Sequence, residues 1–96
     1  MLKISRRQNG TDTVEFTLSG RLQFEHVNEL RGLIRKEANK LVLDLREVNL
    51  VDREAVEFLA ACENDGISLR NCSSYIREWI TREAIRGNFS SPLEES

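Results

Sequence analysis

The chain contains little proline, glycine or cysteine: one, five and two of its 96 residues, respectively. This scarcity excludes a collagen-like repeat, a proline-rich linker and a small scaffold held together by disulfides. Long apolar runs are missing as well, since the longest, Phe58 to Cys62, has five residues whereas a membrane-spanning helix needs about 20. No signal-peptide core follows Met1. We therefore expect a cytoplasmic protein without membrane insertion.

An excess of charge of one sign is also lacking. Fourteen lysines and arginines stand against sixteen acidic residues, and the formal net charge is −2. Proteins that bind nucleic acid through its phosphate backbone need a concentrated basic surface, so this class of function is excluded. The composition, with 40% hydrophobic and 31% charged residues, is that of one globular domain.

Motifs for catalysis and for cofactor binding are missing. The single histidine, His26, is predicted on the polar side of a helix, and no Gly-x-Ser-x-Gly turn accompanies it. The glycines are scattered rather than gathered into a phosphate-binding loop. Cys62 and Cys72 lack the spacing of a metal or redox site, and we expect free thiols. The sequence therefore predicts a protein that is not an enzyme and holds neither cofactor nor metal.

Apolar residues recur with two different periods. Period two predicts four strands, and spacings of three and four predict three amphipathic helices. The apolar strand positions are Leu2 and Ile4; Val14, Phe16 and Leu18; Leu41, Leu43 and Leu45; and Ile67 and Leu69. The apolar helix positions are Phe24, Val27, Leu30, Leu33, Ile34 and Ala38; Ala55, Val56, Leu59 and Cys62; and Ile76, Trp79 and Ile80. The order is β-β-α-β-α-β-α, and the loss of periodicity after Arg86 predicts a domain at 1–86 with a flexible tail at 87–96.

Strict alternation in all four strands indicates that only one face of the sheet is covered. We therefore predict an α/β fold with a mixed four-stranded sheet of order 1-2-3-4, strand 1 antiparallel at the edge, and the helices on one face. The other face would carry Lys3, Ser5, Glu15, Thr17, Val42, Asp44, Ser68 and Arg70. For this polar face, solvated surface and protein interface both remain open interpretations.

Two segments resemble the STAS domain of bacterial anti-sigma-factor antagonists. One is Leu18-Ser19-Gly20-Arg21-Leu22, and the other is the run from Leu41 to Asp52 that leads into the second helix. In that family a strand ending in Asp-Leu-x-x-Val precedes an Asp-Ser-x-Gly turn, whose serine is phosphorylated by an anti-sigma kinase. The resemblance spans roughly residues 13–83 and implies a STAS-like fold and a protein-interaction module in bacterial regulation.

The turn itself departs from the family pattern. Asp52 matches the family's aspartate, whereas Arg53 stands at the phosphorylated serine, and Glu54 and Ala55 stand at the two positions that follow. Gln23 replaces the aspartate that commonly follows the first segment. Arginine cannot carry a phosphoryl group, so the resemblance implies a domain that serine phosphorylation does not switch.

The predicted partner-binding surface lies at the start of the second helix and consists of Asp52, Arg53, Glu54 and Glu57. Asp52 is also the expected helix cap, which explains it better than an acid–base pairing with Asp44. A cation in the first helical turn costs about 0.3–1 kcal/mol, and an Arg53–Glu57 pair returns about 0.2–0.5 kcal/mol, so energetics leave a solvated Arg53 and a contacting Arg53 equally open.

The resemblance also implies a kind of partner. An anti-sigma factor or a related regulator would bind a monomer or weak homodimer of this chain. The alternative is an accessory STAS domain that binds a small ligand or serves lipid transport.

Overall fold

The structure, a computed structural model, describes the backbone of residues 2–37 and 40–95 and the side chains of that range up to Ile85. Its elements follow the predicted order. They are β1 (Leu2–Asn9), β2 (Thr13–Leu22), α1 (Phe24–Arg35), β3 (Lys40–Val51), α2 (Arg53–Asn64), β4 (Ser68–Arg70) and α3 (Ser74–Glu95).

The strands form one sheet in the order β1-β2-β3-β4. β1 pairs antiparallel with β2 through a tight turn in which Gly10 has a φ of 84°, a left-handed conformation that favours glycine. The pairs β2·β3 and β3·β4 are parallel, because a helix crosses over between their strands. This arrangement confirms the predicted fold class.

One core lies between the sheet and the helices. The inward apolar positions of β2 and β3 are buried and those of the edge strands β1 and β4 are partly buried, and the helices pack their apolar stripes against them. The largest fully buried side chains are Phe16, Leu18, Leu22, Leu30, Leu43, Leu45, Leu59, Ile76 and Ile80. Each contributes about 1.5–3 kcal/mol by leaving water, so packing of one face of the sheet against a single layer of helices stabilises the domain.

The second face of the sheet stays open, as predicted. Lys3, Ser5, Ser68 and Arg70 are exposed, and Thr17, Val42 and Asp44 are partly exposed. Glu15 differs from the rest, because its side chain is only 8% exposed although it lies on this face. We call these eight residues the open face below.

Three details of the elements differ from the sequence-based expectation. Phe24 begins α1 but is 62% exposed, so it does not belong to the core stripe of that helix. The first helix ends at Arg35, and Ala38 lies outside the described residues. Helix α3 continues to Glu95, so the backbone is helical through nearly all of the segment 87–96, for which a flexible tail without periodicity was predicted. Side chains from residue 86 onward lie outside the described set, and the domain boundary at Arg86 stays a prediction.

Candidate functional site

Asp52 connects β3 to α2 and binds the beginnings of two helices. Its Oδ1 accepts a hydrogen bond from the backbone N–H of Ala55 at 2.9 Å, the N-cap bond that the sequence predicts. Its Oδ2 accepts a second bond, also 2.9 Å long, from the backbone N–H of Phe24 at the start of α1. One carboxylate therefore holds the N-termini of α1 and α2 together.

The parallel pairing of β2 and β3 brings these two helix starts to the same edge. Leu22 pairs with Val51, so the strands end side by side and each leads directly into its helix. Both helix N-termini carry partial positive charge and unpaired N–H groups, which a carboxylate can satisfy. The position of Asp52 between them follows from this topology.

His26 completes the start of α1. Its Nδ1 accepts a hydrogen bond from the backbone N–H of Gln23 at 3.2 Å, which requires that nitrogen to be unprotonated. Its side chain is 14% exposed, and its Nε2 lies 3.7 Å from the Glu25 carboxylate. The expectation of a histidine on the polar, solvent-facing side of the helix is therefore wrong. The ring lies largely under the surface because it caps the helix.

The remaining predicted site residues lie on the first two turns of α2. Arg53, Glu54 and Glu57 are all exposed. Arg53 Nε lies 3.4 Å from Glu57 Oε2, which is the i,i+4 pair expected from the spacing. The structure thus brings all four predicted residues together, with the charges of three of them at the surface and Asp52 partly buried beneath.

Exposed apolar side chains beside this helix start were missed by sequence reasoning. Phe24 is bonded through its backbone to Asp52, and Leu50, which is 41% exposed, lies two residues before Asp52 on β3. The period of three and four had placed Phe24 in the core. A first helical residue, however, has no preceding turn to cover it, and this positional signal could have identified it. We call Phe24, Leu50, Arg53, Glu54 and Glu57 the α2 edge.

The structure does not support acid–base chemistry at Asp44, which lies in β3, together with Asp52, which directly follows that strand. Burial disfavours ionisation of Asp44, but the N–H of Arg46 and the amide of Asn71, each 3.0 Å from Oδ1, outweigh it and hold the pKa of this carboxyl below its ordinary value. Asp44 and Asp52 are also eight residues apart along an extended strand, or about 26 Å. They do not form a catalytic pair.

Both cysteines are free thiols, as expected. Burial raises the pKa of Cys62 to about 12, and burial also raises the pKa of Cys72. A thiol with a raised pKa is a poor nucleophile and a poor metal ligand, because the thiolate is the reactive form. Within residues 2–37 and 40–85, no group of three or more His, Cys, Asp or Glu side chains is placed to hold a metal ion.

Comparison with known proteins places this architecture. No protein-family model matches the chain, and no curated protein matches it. Solved structures do match. The unphosphorylated anti-sigma factor antagonist SpoIIAA superposes with a TM-score of 0.62 at 16% identity, over 79% of each chain. An antisigma-factor antagonist STAS domain from Rhodobacter sphaeroides superposes with a TM-score of 0.56 at 14% identity, over 76% of this chain and 92% of that one.

The chain has a STAS-like fold. A third structure, Mglu, matches with a TM-score of 0.53 at 18% identity, over 66% of this chain but only 18% of its own. The same fold is therefore also found as a small part of a larger protein. At these identities the likeness establishes the fold of the STAS-like domain, and the resemblance inferred from the sequence is confirmed at that level.

Helix α3 is the longest helix of the STAS-like domain, with 22 residues. Among the helical residues that the structure describes, no segment combines the length and the apolar character needed to cross a membrane.

Proposed function

We propose that this STAS-like domain is a non-enzymatic protein-interaction module that acts in bacterial regulation, like the anti-sigma-factor antagonists it resembles. Its partner, an anti-sigma factor or a related cytoplasmic regulator, docks at the start of α2 against Asp52, Arg53, Glu54 and Glu57. The observation that carries the proposal is the pair of hydrogen bonds that the Asp52 carboxylate accepts from the N–H groups of Ala55 and Phe24, which joins the two helix starts into one surface.

The composition of the α2 edge supports docking of a protein. Protein interfaces combine a few exposed aromatic or aliphatic anchors with arginines and a polar rim. Phe24 and Leu50 supply the apolar anchors, and Arg53 with Glu54 and Glu57 supplies the charged surroundings. Because Asp52 already fixes the backbone, a partner would lose little entropy in ordering this surface.

Binding at this surface would be constitutive. A phosphoryl group at a helix N-terminus adds about −1.5 to −2 charges and changes the affinity for a partner. Arg53 has no hydroxyl to accept a phosphoryl group, and neither has Glu54. The proposal therefore excludes control of this surface by a serine kinase.

A binding titration tests the proposal. The partner recovered with the tagged domain from native cells is purified and titrated against wild type and Arg53→Glu. We expect the variant to weaken binding by about 1–3 kcal/mol, because the reversed charge enters the interface. Arg82→Glu, an exposed charge reversal on α3, is the matched control and should leave the affinity unchanged.

Two results would contradict the proposal. One is equal affinity of wild type and Arg53→Glu, which would remove the α2 edge as the contact. The other is phosphate on the purified chain, found by mass spectrometry, with a matching loss of affinity.

A further inference from the structure

The open face holds a polar depression at the end of the sheet opposite the α2 edge. It has a cavity volume of about 530 Å³ and is lined chiefly by Asn9, Thr13, Lys40, Val42, Ser68 and Arg70. Sites for small molecules typically enclose roughly 300–1,000 Å³, so the depression has room for one small ligand. Nothing in the proposed docking of a protein uses these residues.

Strand register places the two cations at opposite ends of this depression. Thr13 pairs with Lys40, Val42 with Ser68, and Asp44 with Arg70, all on the open face. With about 3.3 Å per residue and about 4.8 Å between strands, the Cα atoms of Lys40 and Arg70 are roughly 14 Å apart. Their long side chains can therefore approach a single group bound over Val42 and Ser68.

Neither cation is neutralised by the protein. Within the described part of the chain, the side chains of Lys40 and Arg70 form no hydrogen bond or ion pair, whereas Arg6, Arg53 and Arg77 are each paired with a glutamate. A lysine and an arginine thus face one depression with their donors free.

Among the described residues, neither acid of the open face forms an ion pair with Lys40 or Arg70. The Asp44 carboxylate opposite Arg70 instead accepts hydrogen bonds from the Arg46 N–H and the Asn71 amide. Glu15 is nearly buried beside it. Lys40 and Arg70 therefore keep their side-chain donors for a ligand, although both acids lie on the same face of the sheet.

We infer that this depression binds a small organic phosphate. An arginine presents a planar fork that matches phosphate oxygens, and a lysine adds a point charge. The Ser68 hydroxyl and the Asn9 amide can hydrogen-bond the hydroxyl groups of the ligand body, while Val42 provides an apolar floor. This inference concerns a different surface from the proposed docking of a protein and does not depend on it.

Chemical-shift titration of the full-length, ¹⁵N-labelled protein tests the inference. The probes are glucose 6-phosphate, inorganic phosphate and glucose, each added at constant ionic strength. We expect saturable shifts for glucose 6-phosphate at the amides of residues 40–42 and 68–70, weaker binding of inorganic phosphate, and no saturable shifts with glucose.

Three variants locate the binding. Lys40→Gln and Arg70→Gln should each lower the affinity for glucose 6-phosphate by about tenfold, because each removes a charge-assisted contact. Lys3→Gln removes a cation from the same open face outside the depression and should bind like wild type. Thermal unfolding of each variant checks that the fold is intact.

The inference is overturned by shifts that rise linearly without saturation or that respond equally in all three variants. Such shifts would indicate general screening of surface charge. Equal affinity for inorganic phosphate and glucose 6-phosphate would also overturn it, because the ligand body would then make no contact with the depression.

Discussion

The two oxygens of the Asp52 carboxylate have different tasks. Oδ1 closes α2 through the N–H of Ala55, and Oδ2 reaches across to α1 through the N–H of Phe24. The first bond is local and was predictable, since aspartate before an apolar helical stripe is a common N-cap. The second joins residues 28 positions apart, so it becomes visible only when the parallel strands are paired.

Substitution of Asp52 measures what these two hydrogen bonds contribute to stability. Asp52→Ala removes both acceptors and should lower the free energy of unfolding by about 1.5–3 kcal/mol, the sum of a cap and a further hydrogen bond. Asp52→Asn retains one acceptor oxygen and should cost roughly half as much. Urea unfolding measures both, with Asp65→Asn at the exposed end of α2 as the control. An Asp52→Asn protein as stable as wild type would show that the second acceptor oxygen contributes nothing to stability.

The raised pKa of Cys62 predicts that the domain loses stability at alkaline pH. Its folded pKa of about 12 lies above that of a thiol in the unfolded chain, so the folded state retains a proton that the unfolded state releases. This contribution is complete below the unfolded pKa, near 9, and is lost as the pH rises toward 12. The free energy of unfolding should fall by up to about 1.4 kcal/mol per pH unit in that window.

Urea titrations at pH 8, 9.5 and 10.5 test this prediction, with Cys62→Ala as the comparison. The variant should start less stable, since it removes a buried side chain, but should lose less stability as the pH rises. Identical slopes for wild type and variant would show that other groups govern the alkaline transition.

Among the elements, α1 shows how far a periodic pattern can be trusted. The spacing of Phe24, Val27 and Leu30 predicts one apolar face, and Val27 and Leu30 are indeed buried. Phe24 satisfies the same spacing but lies at the helix start, where neither a preceding turn nor the sheet covers it. Periodicity thus identified the helix and its core face correctly and failed at the terminus.

Truncating these residues should therefore have unequal effects. Leu30→Ala leaves a cavity in a fully buried site and should cost about 2–5 kcal/mol. Phe24→Ala should change stability by less than about 0.5 kcal/mol, as exposed substitutions usually do. Thermal and urea unfolding compare the two. A loss above 1 kcal/mol in Phe24→Ala would mean that the aromatic ring packs in solution and is not available to a partner.

The strands were predicted correctly, whereas the C-terminal part of α3 was not, and the cause is local propensity rather than periodicity. Four strands were predictable because alternation, turn residues and one-sided burial all agree for them. Beyond Arg86, Gly87 and Pro92 are poor helix formers, and local propensity therefore indicated an irregular tail. The backbone nevertheless continues as helix to Glu95. Single-residue propensity is a weak guide at the end of a helix whose preceding turns are well packed by Ile76 and Ile80.

For the molecule as a whole, one-sided covering of the sheet was the decisive prediction, and it determines where functions can lie. The helices occupy one face, the α2 edge lies at the carboxyl ends of β2 and β3, and the open face is left for other contacts. Sequence reasoning placed the open face correctly and identified Asp52 as the N-cap of the second helix, while the role of Asp52 and Arg53 in partner binding stays a prediction. It placed Glu15 on that face but could not predict its burial, because the burial depends on neighbouring strands rather than on the period of β2 alone.

The same architecture leaves β1 as a long edge strand, and its charges predict a monomer. Eight residues of β1 pair only with β2, so their other side offers unpaired backbone groups to a second copy. Lys3 and Arg7 point to the open face along this edge, and edge cations oppose pairing of two identical strands. Sedimentation should therefore show a monomer up to about 100 μM, which corresponds to a dimerisation free energy weaker than about −5.5 kcal/mol.

Removing the edge cations tests this assignment. In Lys3→Thr/Arg7→Thr the edge keeps a good strand sequence but loses its repulsion, so self-association should strengthen by about tenfold or more. Lys36→Thr/Arg82→Thr loses the same two charges from exposed sites, one directly after α1 and one on α3, and should remain monomeric. If both double variants associate equally, the net charge of the protein, and not the cations at the edge of β1, prevents self-association. If neither associates at 100 μM, the unpaired backbone of β1 is protected by something other than Lys3 and Arg7.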